Sequence, residues 1–205
     1  MELNAPVFDA TRPVAIQLRG PDGLKTVRVR FPSDDECAER QRRRKVIVKN
    51  LGRGISETTI PNGEEIDAAL LAKIRTEEEP EVDAFEAQKV IEQLVACDVD
   101  DVVLEGDAFR VTLRVLGGTV THLLRMPSAK DVSQYRRDFA RVLDLPFSRQ
   151  ELTINVRAAG DLWKRLLDSV EGYVGDVPVV HQAVAAKAAI DALDASFQED
   201  RDANF

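Results

Sequence analysis

Cysteine and histidine are scarce, with two of each in 205 residues, and aromatics make up only 5% of the chain. Cys37 and Cys97 stand far apart in no ligand-like spacing, a usage that fits a reducing cytosol, where a lone thiol acts as a small hydrophobe. His122 and His181 have no cysteine or carboxylate cluster around them, so a metal centre is not expected and structural or surface roles are. Neither histidine has a Ser or Cys nucleophile context. Long apolar runs are absent as well. No window approaches the roughly 20 apolar residues of a membrane span, and Met1–Phe8 has neither a basic segment nor an apolar core, so a soluble chain without a secretion signal is expected. Positive charge is in deficit: the net charge is -8 and the pI about 4.9, which argues against nucleic acid or an anionic membrane as the partner of the whole molecule. The Gly52-Arg53-Gly54 pair lacks the remainder of any phosphate-loop fingerprint and reads as a turn. No cofactor motif is present, and paired carboxylates such as Asp34/Asp35 and Asp100/Asp101 read as caps and turns.

What the chain does contain is a stretch written twice. Val14–Ser33 aligns without a gap to Phe109–Ser128, 95 residues later, with Leu18/Leu113, Arg19/Arg114, Gly23/Gly118, Thr26/Thr121, Arg30/Arg125, Pro32/Pro127 and Ser33/Ser128 identical. Apolar character persists at Val14/Phe109, Ile16/Val111, Val29/Leu124 and Phe31/Met126. Within the first stretch, alternation at 14–19 and 27–31 around Gly20-Pro21-Asp22-Gly23 predicts a β-hairpin, ended by Pro32. Ser33 with Glu36 three residues on is capping-box spacing and predicts a helix start. Its acidic first turn and basic end, Arg40 to Lys45, complement the helix dipole.

The segment 50–62 reads as loop with a short strand, 64–75 as a helix carrying Ile66, Leu70, Leu71 and Ile74 on one face, and 84–97 as a helix with Phe85, Val90, Ile91, Leu94 and Val95 on its apolar side. A strand at 102–104 precedes the second hairpin, 109–126. Helices at 129–143, 161–170 and 180–197 then match those of the first half. The reading is an α+β fold made by internal duplication of a hairpin-helix-loop-helix-helix unit, 1–100 and 101–205. The two hairpins are expected to pair into a four-stranded antiparallel sheet with helices packed on it.

The copies differ most in the helix after the hairpin. Val132, Tyr135, Phe139, Val142 and Leu143 form an apolar stripe in the second copy, whereas Arg40 and Arg44 occupy the positions of Tyr135 and Phe139 in the first. Either these arginines lie along apolar surface with their heads in water or pair with the acidic segments near Glu77 and Asp98, or the face holding Arg40, Arg43 and Arg44 docks an acidic partner or another subunit. Tyr173, in the Gly/Pro-containing link 170–178, is a further candidate contact residue, while Trp163 is assigned to the core.

Phe31–Lys49 with the following Leu51–Gly54, and Glu171–Pro178, are similar to proteins encoded by phages and prophages among their virion and tail-assembly genes. The resemblance carries no functional motif and transfers no site residue. It implies a structural or assembly role through contacts with other virion proteins or with itself, in the host cytoplasm or the virion. A small enzyme or ligand-binding module with its site between the repeats is the competing reading, and a nucleic-acid regulator using Arg40 to Lys45 ranks last.

Overall fold

Twelve strands and six helices lie among the residues that the computed structural model describes, 8–20, 23–52, 55–147 and 149–202. Pro21, Asp22, Arg53, Gly54 and Ser148, which the turn readings above include, fall outside them, as do residues 1–7. In chain order the elements of the first half are β1 (Phe8–Asp9), β2 (Val14–Gly20), β3 (Gly23–Val29), α1 (Asp34–Arg43), β4 (Val46–Gly52), β5 (Ile55–Thr59), α2 (Gly63–Ile74) and α3 (Ala84–Leu94). The rest are β6 (Cys97–Glu105), β7 (Ala108–Val115), β8 (Gly118–Arg125), α4 (Ala129–Phe139), β9 (Ala140–Leu145), β10 (Arg149–Ile154), α5 (Val156–Leu166), β11 (Leu167–Glu171), β12 (Tyr173–Val174) and α6 (Val179–Asp202). This is an α+β fold.

Two compact units divide the chain, but not at residue 100. The first unit is Thr11–Val95 together with Asp138–Asn155; the second is Met1–Ala10, Ala96–Arg137 and Val156–Phe205. The hairpin β9–β10 belongs to the first unit because β10 pairs antiparallel with β4, Arg149 opposite Lys49 and Leu152 opposite Val46. Among the described residues the expected pairing of the two repeated hairpins is not formed. β2 and β3 form a two-stranded sheet of their own, and β7–β8 sits within a sheet of order β11-β8-β7-β6. The joined sheet is instead β5-β4-β10-β9, built from the hairpins that follow α1 and α4. Backbone pairing also overrides helical periodicity at 140–145. Val142 opposes Leu152 in β9, the helix ends at Phe139, and Val142 and Leu143 are exposed rather than part of a helical stripe.

In the first unit, Ile16, Leu18, Val27 and Val29 bury one face of the β2–β3 hairpin. The unit's core is completed by Ile66, Leu70, Leu71 and Ile74 from α2 and by Val90, Ile91 and Leu94 from α3. Phe85, expected on the buried side of α3, is 54% exposed, with the Lys89 ammonium 4.1 Å from its ring centre. The amide of Arg30 donates to the Ile74 carbonyl, and the amide of Thr76 to that of Arg28, so the exit from α2 is stitched to β3. In the second unit, β7 alternates buried and exposed residues. Helix α6 contributes mostly small side chains to the core: Ala183, Ala185, Ala186, Ala188 and Ala189 beside Ile190 and Leu193. Small residues let α5 approach closely, most of all at Gly160, where an added Cβ would stand 2.9 Å from Gln182 Oε1 and 3.1 Å from Val179 Cγ2.

Helices taken in the same order in the two halves of the chain start at matching intervals. α1 and α4 begin at Asp34 and Ala129, and α3 and α6 at Ala84 and Val179, in both cases 95 residues apart; α2 and α5, at Gly63 and Val156, are 93 apart. The helix starts share their chemistry too. The Ser33 hydroxyl accepts from the Glu36 amide and Glu36 Oε2 accepts from the Ser33 amide, while Asp131 and Ser128 make the same reciprocal bonds. Each acid also meets an arginine at the exit of the preceding strand, Glu36 with Arg30, one residue past β3, at 2.7 Å and Asp131 with Arg125, the last residue of β8, at 3.5 Å.

Candidate partner-binding surface

Charge complementarity places Arg40 inside the molecule. Its Nε donates to Asp67 Oδ1 at 2.6 Å and its Nη2 to Oδ2 at 2.9 Å, a planar fork on a planar carboxylate, with Arg40 6% and Asp67 0% exposed. The seventh residue of α1 is thus as buried as Tyr135, the seventh residue of α4. The fifth residue of α2 is Asp67, and the fifth of α5 is Gly160, which has no side chain to accept a guanidinium. The arginine expected at the docking face is therefore an internal strut of the first unit. Its partner is a carboxylate on α2, not the acidic segments near Glu77 and Asp98.

Arg44 is half-buried at the C-terminal cap of α1. Its Nε is buried and has no hydrogen-bond partner among the described residues, and burial, followed by the charge of Arg40, pushes its guanidinium pKa down. Only Arg43 of the three is well exposed. It rims a shallow groove of about 220 Å³ between α1 and α2, with Ile66, Ala69 and Leu70 along the floor and Glu39 and Lys73 at the edge.

Tyr173 is turned inward. Its hydroxyl lies 2.9 Å from His122 Nε2 and 3.3 Å from His181 Nδ1, and Trp163 Nε1 donates to His122 Nδ1 at 3.0 Å. Because an indole nitrogen can only donate, His122 carries its proton on Nε2 and donates to Tyr173, whose own proton then points to His181. The chain of donors runs one way, from Trp163 to His181. Burial pushes the His122 pKa down to about 3, with the charge of His181 adding to it, and that of His181 down to about 4; burial also raises that of Tyr173. Both rings are neutral, fully enclosed and edge-on to aromatic neighbours, which makes this a core network.

Burial raises both thiols to about 12, so neither Cys37 nor Cys97 is a ready nucleophile. Among the described residues no group of three His, Cys, Asp or Glu side chains could hold a metal ion.

Exposed apolar side chains also lie on the sheet β5-β4-β10-β9. Every residue of β5 is exposed, including Ile55 at 60%, and on β9 Val142 is 55% and Leu143 60% exposed. Leu51 on β4 is also exposed. Phe147, in the β9–β10 turn, is 85% exposed at a φ of 64°, a conformation that costs a bulky residue energy, and the Arg149 guanidinium lies 5.9 Å from its ring. Sequence inspection had not marked this surface, since Val142 and Leu143 also fit a helical stripe. The available signal was Leu-Pro-Phe-Ser at 145–148, a turn dipeptide carrying an aromatic between two polar-apolar alternations.

No protein-family model, curated protein or solved structure matches this chain.

Proposed function

We propose that this chain is a non-enzymatic structural or assembly protein of phage type, working through protein-protein contacts in the host cytoplasm or the virion. The four-stranded sheet with open edges carries the reading. Its strands and the β9–β10 turn leave Ile55, Leu51, Val142, Leu143 and Phe147 exposed, with Ile55 on one edge strand and Val142 and Leu143 on the other, large apolar groups that a monomer has no reason to leave uncovered. Kinship of Phe31–Lys49 and Glu171–Pro178 with virion and tail-assembly proteins is part of the proposal. Among the described residues no helix is long and apolar enough to cross a membrane. Light scattering over a concentration series, joined to co-purification with phage structural proteins, tests it. Self-association or a stable complex is expected; a strict monomer with no partner overturns it.

A second reading rests on the groove between α1 and α2. An apolar floor with Arg43, Lys73 and Glu39 at the rim suits a small amphipathic ligand carrying both charges, and makes the chain a binding module. Thermal-shift screening of such molecules against the wild type and Arg43→Ala distinguishes this reading, which requires a shift that the variant loses.

A further inference from the structure

We infer that copies of this chain join edge to edge, β9 of one against β5 of the next, extending the sheet β5-β4-β10-β9 into a continuous antiparallel one. This rests on the assembly reading above and names its contact. Each strand of the sheet runs antiparallel to its neighbour, so the two edges, β5 and β9, run in opposite directions. A second copy with its β5 laid beside β9 in the same sheet orientation therefore continues the alternation.

Side chains select the register. Placing Arg141 opposite Glu57 of the next copy brings Leu143 opposite Ile55, Val142 opposite Ser56 and Ala140 opposite Thr58. Arg141, Leu143, Ile55 and Glu57 are all exposed, and neither Arg141 nor Glu57 makes an ion pair or side-chain hydrogen bond among the described residues. Faces agree as well. Glu57, Lys49, Arg149 and Leu145 oppose one another in turn across the sheet, which puts Glu57 and Ile55 on the same face as Leu145, Leu143 and Arg141. The new ladder thus joins one opposite-charge pair and one apolar pair on a single face. Charge on an edge strand commonly blocks pairing. Here the two edges carry opposite signs at matching positions, and they complement each other.

Pairing either edge with itself across a two-fold axis has no such match. On β9, Arg141 and Asp144 lie on opposite faces and cannot meet, and Glu57 is the sole charge of β5. The contact is accordingly head-to-tail, and repetition closes a ring or grows a filament.

Sedimentation velocity on the full chain, compared with Arg141→Glu, Glu57→Arg and the double reversal, tests the pairing. Each single reversal is expected to weaken association by roughly tenfold or more, and the double reversal to restore it. These positions are solvent-exposed, and circular dichroism checks that the variants remain folded. A second readout is covalent: Leu143→Cys mixed with Ile55→Cys forms an inter-chain disulfide under mild oxidation, and neither variant does so alone. Association that survives both single reversals, or a double reversal that does not rescue, overturns the edge pairing while leaving assembly through another surface intact. A monomeric wild type that still captures phage structural proteins removes the edge pairing alone, and one without partners removes both.

Discussion

Arg40 and Asp67 form a two-pronged ion pair sealed from solvent, 2.6 Å and 2.9 Å between the bonded atoms, at the point where α1 and α2 of the first unit meet. Removing one partner leaves the other charge buried without compensation. Asp67→Ala should cost about 3–5 kcal/mol, because that is the usual penalty for breaking a buried pair. Replacing both, Arg40→Met with Asp67→Leu, should be close to neutral. Urea denaturation followed by far-UV circular dichroism measures both. Equal losses in the single and the double variant would show that the pair's geometry, not charge burial, matters.

The difference between α1 and α4 is visible in the sequence, but its meaning is not. Arg40 in place of Tyr135 is equally consistent with a solvated arginine, a docking arginine or a buried one, because the deciding partner, Asp67, lies 27 residues on and carries no local signal. The start of α1 was legible, since the bonds of its Ser33–Glu36 cap join residues three apart; the like cap of α3, Asp83–Glu86, was open to the same reading. Strand partners were not. Nothing local in Val46–Gly52 says that it pairs with 149–154 rather than with the repeated hairpin, and residues 140–145 satisfy helical and extended patterns alike. The exposed sheet, the strongest candidate contact, is hidden in sequence for that reason.

Ser33 and Ser128 cap α1 and α4 through the same pair of bonds, so their removal should cost similar amounts. Ser33→Ala and Ser128→Ala are each expected to lose about 1 kcal/mol, the typical value of an N-cap hydroxyl. Glu36 adds a pH dependence. The Arg30 guanidinium holds its carboxyl down at about 2, so its contribution is complete above the unfolded value near 4.5 and is lost as the pH falls toward 2. Solvent access at Arg30 makes that contribution small. Urea midpoints of wild type and Glu36→Gln should converge as the pH falls toward 2.

Gly160 has an ordinary helical setting, where alanine would normally help by close to 1 kcal/mol. Contact with α6 reverses the sign. A Cβ there meets Gln182 Oε1 at 2.9 Å, and Gln182 is held in place by its amide donating to the Val177 carbonyl at 2.6 Å. Gly160→Ala should therefore destabilise by about 1–3 kcal/mol, the range of an overpacked core. Adding Gln182→Ala should recover part of that loss by removing the obstacle. Thermal denaturation of the single and double variants decides it, and a stabilised single variant would contradict the close approach of α5 to α6.

The donor chain from Trp163 through His122 and Tyr173 to His181 makes the second unit acid-sensitive. Folding lowers both histidine pKa values from 6.5, to about 3 for His122 and about 4 for His181, so between those values and 6.5 the unfolded chain binds protons that the folded one does not. Stability is fully present above pH 6.5 and falls as the pH drops, by roughly 2 kcal/mol per histidine at pH 5. Trp163 fluorescence reports on the unit directly, since its indole nitrogen bonds His122. Urea midpoints followed by this signal should decline between pH 7 and pH 5 in the wild type. His122→Phe should be less stable at pH 7 by about 1–3 kcal/mol, the cost of leaving the Trp163 donor and the Tyr173 hydroxyl short of a partner. It should also lose about half of the decline toward pH 5. A pH slope unchanged by the substitution would mean that His122 is not the group taking up the proton.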